Sequence, residues 1–251
     1  MVGALLLAFS WACASVPAYF GMSADELWEA GVQAYSEENW EDVIQMLEQL
    51  VTQNPGHPQA PEAQMYIARA FVASEQYITA ASEFETFLQL HRNDDLAPEA
   101  SLGVCQAYAV LAPHPQRDQT YTQRAEEACG QTWLEFRGMT VSETADSIRV
   151  EMVNRLAESD YEEGQFYRNF DMHNSAIMIF ENVVSRYPET NWAPRSLLGI
   201  YRSYVSLEWV PEAEETSARL LSGYPESEPA RQLRAEMSEG NDFAREAGVD
   251  R

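Results

Sequence analysis

The side chains with the most chemistry to offer are few. Cys13, Cys105 and Cys129 are the only thiols. No two of them have C-x-x-C spacing, so neither a zinc site nor a dithiol redox site has support. The histidines His57, His91, His114 and His173 are scattered, three of them at turns, and none has a Cys or carboxylate at ligand spacing. His173 stands where Tyr77 stands 96 positions earlier, which points to packing. The acid pairs Glu37-Glu38, Glu126-Glu127, Glu162-Glu163 and Glu214-Glu215 read as solvated helix faces. There is no Gly-rich phosphate loop and no G-x-S-x-G. No metal, cofactor or enzymatic activity is expected, and the chemistry that remains is cross-linking and binding.

Cys105 and Cys129 are equidistant from residue 117, inside the loop expected between their two helices. In an antiparallel hairpin such residues lie side by side, and a disulfide forms if their Cα atoms come within about 7 Å. Two separate buried thiols are the other reading, since free cysteine is commonly buried. Cys13 follows the apolar run Val2–Ala12, which is too short to span a bilayer and reads as the core of a secretory signal, without a basic leader. Cys13 is then the acylated first residue of a mature lipoprotein, part of an ordinary cleavage site, or incidental.

The elements that position these residues repeat. Tyr77–Tyr108 matches His173–Tyr204 without a gap at a shift of 96, with Ala80, Phe84, Gly103 and Tyr108 falling on Ala176, Phe180, Gly199 and Tyr204. A shorter period of 37 relates Ala60-Pro61-Glu62-Ala63 to Ala97-Pro98-Glu99-Ala100 and Tyr187-Pro188 to Tyr224-Pro225. A fixed period in the thirties marks a helical repeat array. Apolar spacing and turn residues predict helices over about 24–37, 40–53, 62–74, 77–91, 98–111, 120–136, 142–169, 174–187, 194–207, 211–223 and a short 229–239. Ser23 and Glu26 form a capping box. The third pair departs from the pattern, with a Pro-broken loop at 112–119. The expected organisation is a signal-like segment (1–13), a tether (14–22), pairs one to three (23–138), pairs four and five with a capping helix (139–239), and an acidic tail (240–251).

The formal charge is −24, and all 16 basic residues are arginine. Nucleic acid is therefore excluded as a partner, because phosphate contacts need a basic stripe. Docking on anionic lipid is disfavoured for the same reason. Binding falls instead to the concave face of the array, lined by the first helix of each pair. In pair two its outward positions are expected to be Glu62, Met65, Arg69 and Val72. Arg69 and Met65 beside Tyr66 would suit an extended or hairpin-like peptide; packing on the next repeat is the alternative.

The small–aromatic–proline pattern Gly164, Tyr167, Ala176, Phe180, Pro188 resembles tetratricopeptide repeats. It implies an all-α, right-handed solenoid of about five antiparallel helix pairs. S-A-D-E-L-W-E-A-G-V-Q-A-Y at 23–35, R-D-Q-T-Y-T at 117–122, E-G-Q-F-Y at 163–167 and A-I-M-I-F-E-N-V-V-S-R-Y-P-E-T at 176–190 resemble the BamD family, lipoproteins of the outer-membrane β-barrel assembly machinery. The resemblance runs over about residues 23–230. It implies lipid attachment at Cys13 and a place on the periplasmic face of the outer membrane. It also implies two partners: the periplasmic domains of the BamA-like insertase for the C-terminal pairs, and unfolded outer-membrane proteins for the N-terminal pairs. Glu62, Met65, Tyr66 and Arg69 become candidates on the client side, and Arg117, Asp118 and Gln119 further partner-binding candidates. A periplasmic scaffold of envelope maintenance, of the Tol–Pal coordinator type, is the alternative.

Overall fold

The structure, a computed structural model, describes residues 19–246, with side chains through Ser238. The described residues form eleven α-helices and no strand. They divide into two compact units, one ending at Glu75 and one starting at Gln76.

The first unit holds α1 (Ala24–Ser36), α2 (Trp40–Gln53) and α3 (Ala60–Ala73). Its start is set by a capping box. Ser23 Oγ accepts from Glu26 N at 3.3 Å, and Glu26 Oε2 accepts from Ser23 N at 2.8 Å. The Ser23 N–H and then its hydroxyl, both donating to Glu26 Oε2, favour the ionised carboxylate and hold Glu26 below the usual range. Leu27, Gly31 and Ala34 are buried on α1 and Val43, Leu47 and Leu50 on α2. A Cβ at Gly31 would collide with Leu47, so the absent side chain sets how closely α1 approaches α2. His57 Nε2, 3.1 Å from Asp25 Oδ1, ties the α2–α3 turn to the start of α1.

The second unit holds α4 (Tyr77–Leu90), α5 (Ala97–Leu111), α6 (Thr120–Glu135), α7 (Thr140–Asn169), α8 (His173–Arg186), α9 (Trp192–Ser206), α10 (Val210–Gly223) and α11 (Glu228–Glu246). Successive helices pack antiparallel. The first half of the 30-residue α7 lies along α5 and α6, and its second half along α8 and α9. Phe180, wholly buried on α8, fills the space left by Gly164 of α7 and Gly199 of α9. Phe84 and Gly103 repeat that fit between α4 and α5. Small residues thus stand where helices cross closely and aromatics fill the gap beside them.

The turns after α1, α3, α7 and α9 share one device. Glu38, Glu75, Asp171 and Glu208 occupy the left-handed region, with φ of 59°, 60°, 56° and 60°. After Glu38, Asp171 and Glu208 the next residue's N–H reaches back, from Asn39 to Ala34 O at 2.9 Å, from Met172 to Tyr167 O at 3.0 Å and from Trp209 to Tyr204 O at 2.9 Å. This is a Schellman stop, usually built on glycine. The four residues keep the sequence periods of 37, 96 and 37. The turn after α5 abandons the device for the loop 112–119, and there Cys105 and Cys129 are bonded to each other, Cα atoms 4.7 Å apart. Ala145, Leu102 and Ile148 cover the bond. Beside it Ser101 and Thr132 hydroxyls meet at 2.8 Å.

Two boundaries differ from expectation. The division expected at 138/139 falls inside the second unit, because α6 and α7 pack along each other across it. The last helix does not stop near 239 but runs through Gly240 to Glu246. One helical glycine costs only about 1 kcal/mol, and the flanking Ala, Glu and Arg favour the helix.

Candidate functional site

The clearest concentration of ring surface lies in the first unit, on α1 and α3. Asp25, Trp28, Val32 and Tyr35 share a face of α1 by their three- and four-residue spacing, and Glu62, Tyr66 and Arg69 share one of α3. Tyr66 makes T-shaped contacts with Trp28 at 5.7 Å and with Tyr35 at 4.7 Å between ring centroids. Tyr35 meets Trp40 of α2 at 5.3 Å. The Arg69 guanidinium lies over Tyr66, 5.5 Å from its centroid. All four rings and Arg69 are half-buried, and Glu62 is exposed. The result is an aromatic cradle with acidic flanks.

The expected outward stripe of α3 is corrected here. Met65 is wholly buried and belongs to the core. α3 buries eight of its residues, leaving a narrow strip that runs through 62, 66 and 69 instead of 62, 65 and 69. A rotation of one residue separates the two readings, and both fit an apolar helix such as A-P-E-A-Q-M-Y-I-A-R-A. Trp28, Tyr35 and Trp40 were absent from the expected site. Trp28 and Tyr35, seven apart on α1, are the signal that reveals it.

The loop 112–119 of the second unit separates its three candidates. Gln119 is the loop's clasp. Its Nε2 donates to the carbonyls of His114 at 2.9 Å, Pro115 at 3.2 Å and Arg117 at 2.9 Å, and its Oε1 accepts from Thr122 Oγ1 at 2.7 Å. Asp118 Oδ1 accepts from Thr120 N at 3.0 Å, turning the chain into α6, and hydrogen bonding from the Thr120 hydroxyl and then its N–H lowers the Asp118 pKa. α7 holds the loop from outside: Arg155 Nη1 donates to Ala112 O and Ser159 Oγ to Pro115 O, both at 2.7 Å. Arg117 remains exposed on this braced loop. Of the three, Arg117 and Asp118 are exposed, and Asp118 is tied back to Thr120.

Two further surfaces belong to the second unit. A groove of about 780 Å³ runs between α6, α7 and the Tyr187–Thr190 turn, lined among others by Val150, Val153, Leu156, Arg149 and Arg186. The end of α7 exposes Phe166 and Phe170, ring centroids 4.8 Å apart, with Met172 following. Their counterparts 96 positions earlier are Ala70, Ser74 and Gln76, so the second pair does not repeat this apolar edge. Among the described residues, no group of three His, Cys, Asp or Glu side chains gathers as a metal site, and no helix is long and apolar enough to cross a membrane. Cys13, the signal-like segment and most of the tether lie outside the described residues, as does the end of the acidic tail.

Consecutive antiparallel helices, glycine-to-aromatic crossings and a shared turn at fixed period define a tetratricopeptide-like repeat protein. The outer membrane lipoprotein family YfiO matches residues 21–220, and the chain belongs to that family. The outer membrane protein assembly factor BamD of Rickettsia prowazekii is 25% identical over 203 residues, 80% of each chain. Among solved structures, the TPR2AB domain of yeast Sti1 in its pHSP90 complex is similar with a TM-score of 0.44 at 17% identity, over 86% of this chain and 83% of that one.

Proposed function

We propose that this chain is a non-enzymatic scaffold of outer-membrane β-barrel assembly. The observation that carries the reading is the aromatic cradle of Trp28, Tyr35, Trp40 and Tyr66, found in a chain of the outer membrane lipoprotein family. The name of the Rickettsia relative supports the assembly role. Half-buried rings give an unfolded client large contact area at low entropic cost, because each ring is already fixed by its neighbours. The cradle receives an extended segment of an unfolded outer-membrane protein, with Tyr66 and Arg69 at its centre.

The second unit receives the barrel insertase. Arg117 on its braced loop and the Phe166–Phe170 edge are the surfaces offered, since an exposed aromatic pair marks an interaction site. An acyl chain on Cys13 holds the protein at the periplasmic face of the outer membrane.

The test is affinity purification from detergent-solubilised envelope, with mass spectrometry of the partners and of the mature N-terminus. A barrel-forming insertase and a diacylglyceryl mass on Cys13 are expected. A preparation free of the insertase defeats the scaffold reading, and an unmodified Cys13 defeats the anchor. Photo-crosslinking from Tyr66 is expected to capture outer-membrane proteins, whereas capture of none removes the cradle from client binding.

A further inference from the structure

We propose that the segment received by the cradle is cationic as well as aromatic, with Arg or Lys beside its rings. The inference rests on the reading of the cradle as the client site and adds the charge of what enters it.

The first unit is far more acidic than recognition of rings requires. Between residues 19 and 75 ten carboxylates stand against a single arginine, Arg69. Two of them flank the rings: Asp25 shares the face of Trp28 and Tyr35 on α1, and Glu62 shares that of Tyr66 and Arg69 on α3. Both are solvent-exposed; the Asp25 side chain is 89% exposed even with His57 beside it. Charges of one sign around a low-dielectric floor raise the local concentration of the opposite charge and speed its arrival.

The cradle also shows that its rings take a cation. The unit's one guanidinium lies over Tyr66 at 5.5 Å. Trp28, Tyr35 and Trp40 have no second arginine or lysine in the unit to cover them. A guanidinium or ammonium from a client can lie on those rings while its charge meets Asp25 and Glu62, so ring attraction and field act together. An anionic segment meets repulsion from nine net charges and has Arg69 alone to set against it.

The test uses the full chain and labelled peptides of one design, read by fluorescence anisotropy. Each carries two aromatic residues and three variable positions filled by Arg, Gln or Glu; a fourth keeps the Arg residues and replaces the rings by Ser. At about 50 mM salt the Arg peptide is expected to bind about tenfold more tightly than the Glu peptide, with Gln between, as three exposed charge reversals allow. The gap closes at about 500 mM salt, where the screening length falls below the spacing of the charges. Asp25→Asn with Glu62→Gln, two surface changes that leave the core untouched, narrows the gap. Tyr66→Ala weakens all three aromatic peptides. Equal binding of the Arg, Gln and Glu peptides overturns the cationic inference and leaves the cradle standing. Equal binding of the ring-less Arg peptide overturns it too, by reducing the effect to unspecific attraction. If no peptide binds, or Tyr66→Ala changes nothing, the client-site reading falls and takes the inference with it.

Discussion

Placing a methyl group at Gly164 or Gly199 tests whether the second unit is built on the grip of two helices around one ring. In an open helix, Gly→Ala is favourable by about 1 kcal/mol. Here the new Cβ at 164 would stand 2.5 Å from Phe180 Cε1 and 2.6 Å from Cδ1, and at 199 it would stand 2.7 Å from Cε2. The ring cannot retreat from one glycine without pressing on the other, and it has no exposed surface to swing into. Overpacking of this kind costs about 1–3 kcal/mol, and the double grip puts these sites at the upper end. After the helix gain is subtracted, each substitution is expected to destabilise by about 2 kcal/mol. Urea unfolding followed by far-UV circular dichroism gives the value from the shift in midpoint at constant slope. Gly223→Ala, at a helical position with nothing within 4 Å of the new Cβ, is the control and should be neutral or stabilising. Combining Gly164→Ala with Phe180→Leu should recover most of the loss, because the smaller side chain frees the space. A Gly164→Ala protein as stable as the parent would refute the packing argument, and a double variant with simply additive losses would place the strain elsewhere.

Other expectations follow from particular contacts. Replacing Cys105 and Cys129 together by Ala should lower stability by about 3.5 kcal/mol in the loop-entropy account of a 24-residue separation, read as a urea midpoint that reductant no longer shifts; an unchanged midpoint counts against the staple. Glu38→Gly, Asp171→Gly and Glu208→Gly should each stabilise by up to about 1 kcal/mol, since glycine enters the left-handed region without the cost a side chain meets; a loss of thermal stability would show that these carboxylates earn their place by contacts. Burial raises the carboxyl of Asp160, with Arg186 at 3.9 Å opposing and Glu163 adding to it. A raised carboxyl is penalised when ionised, so its cost is absent below the unfolded value and grows as pH rises through the folded one. Asp160→Asn should therefore stabilise at pH 7 and lose that advantage towards about pH 4; an advantage that grows in acid would contradict the assignment. Gln119→Ala should loosen the loop 112–119 and speed its cleavage by protease, while Arg117→Ala leaves cleavage unchanged; equal effects would undo the distinction between clasp and presented side chain.

Repeat periods and turn residues in the chain alone determined that it is all-helical and where its helices lie to within two or three residues except at the last one. The reason is local: the 3.6-residue period, the Ser23–Glu26 cap and the proline positions act within a few residues of each other. The equidistance of Cys105 and Cys129 from their loop likewise followed from hairpin geometry, though whether they bond was decided only by the approach of α5 to α6. What the sequence left undecided turned on rotation and distance. Met65 or Tyr66 could equally have faced outward from α3, because that helix is apolar nearly all round and its neighbours choose its exposed strip. Trp28, Tyr35, Trp40 and Tyr66 come from three helices, and only their packing brings the rings together into a surface that can bind. The role of Gln119 was likewise invisible in a motif, since three carbonyls converge on its amide only once the loop has closed against α7.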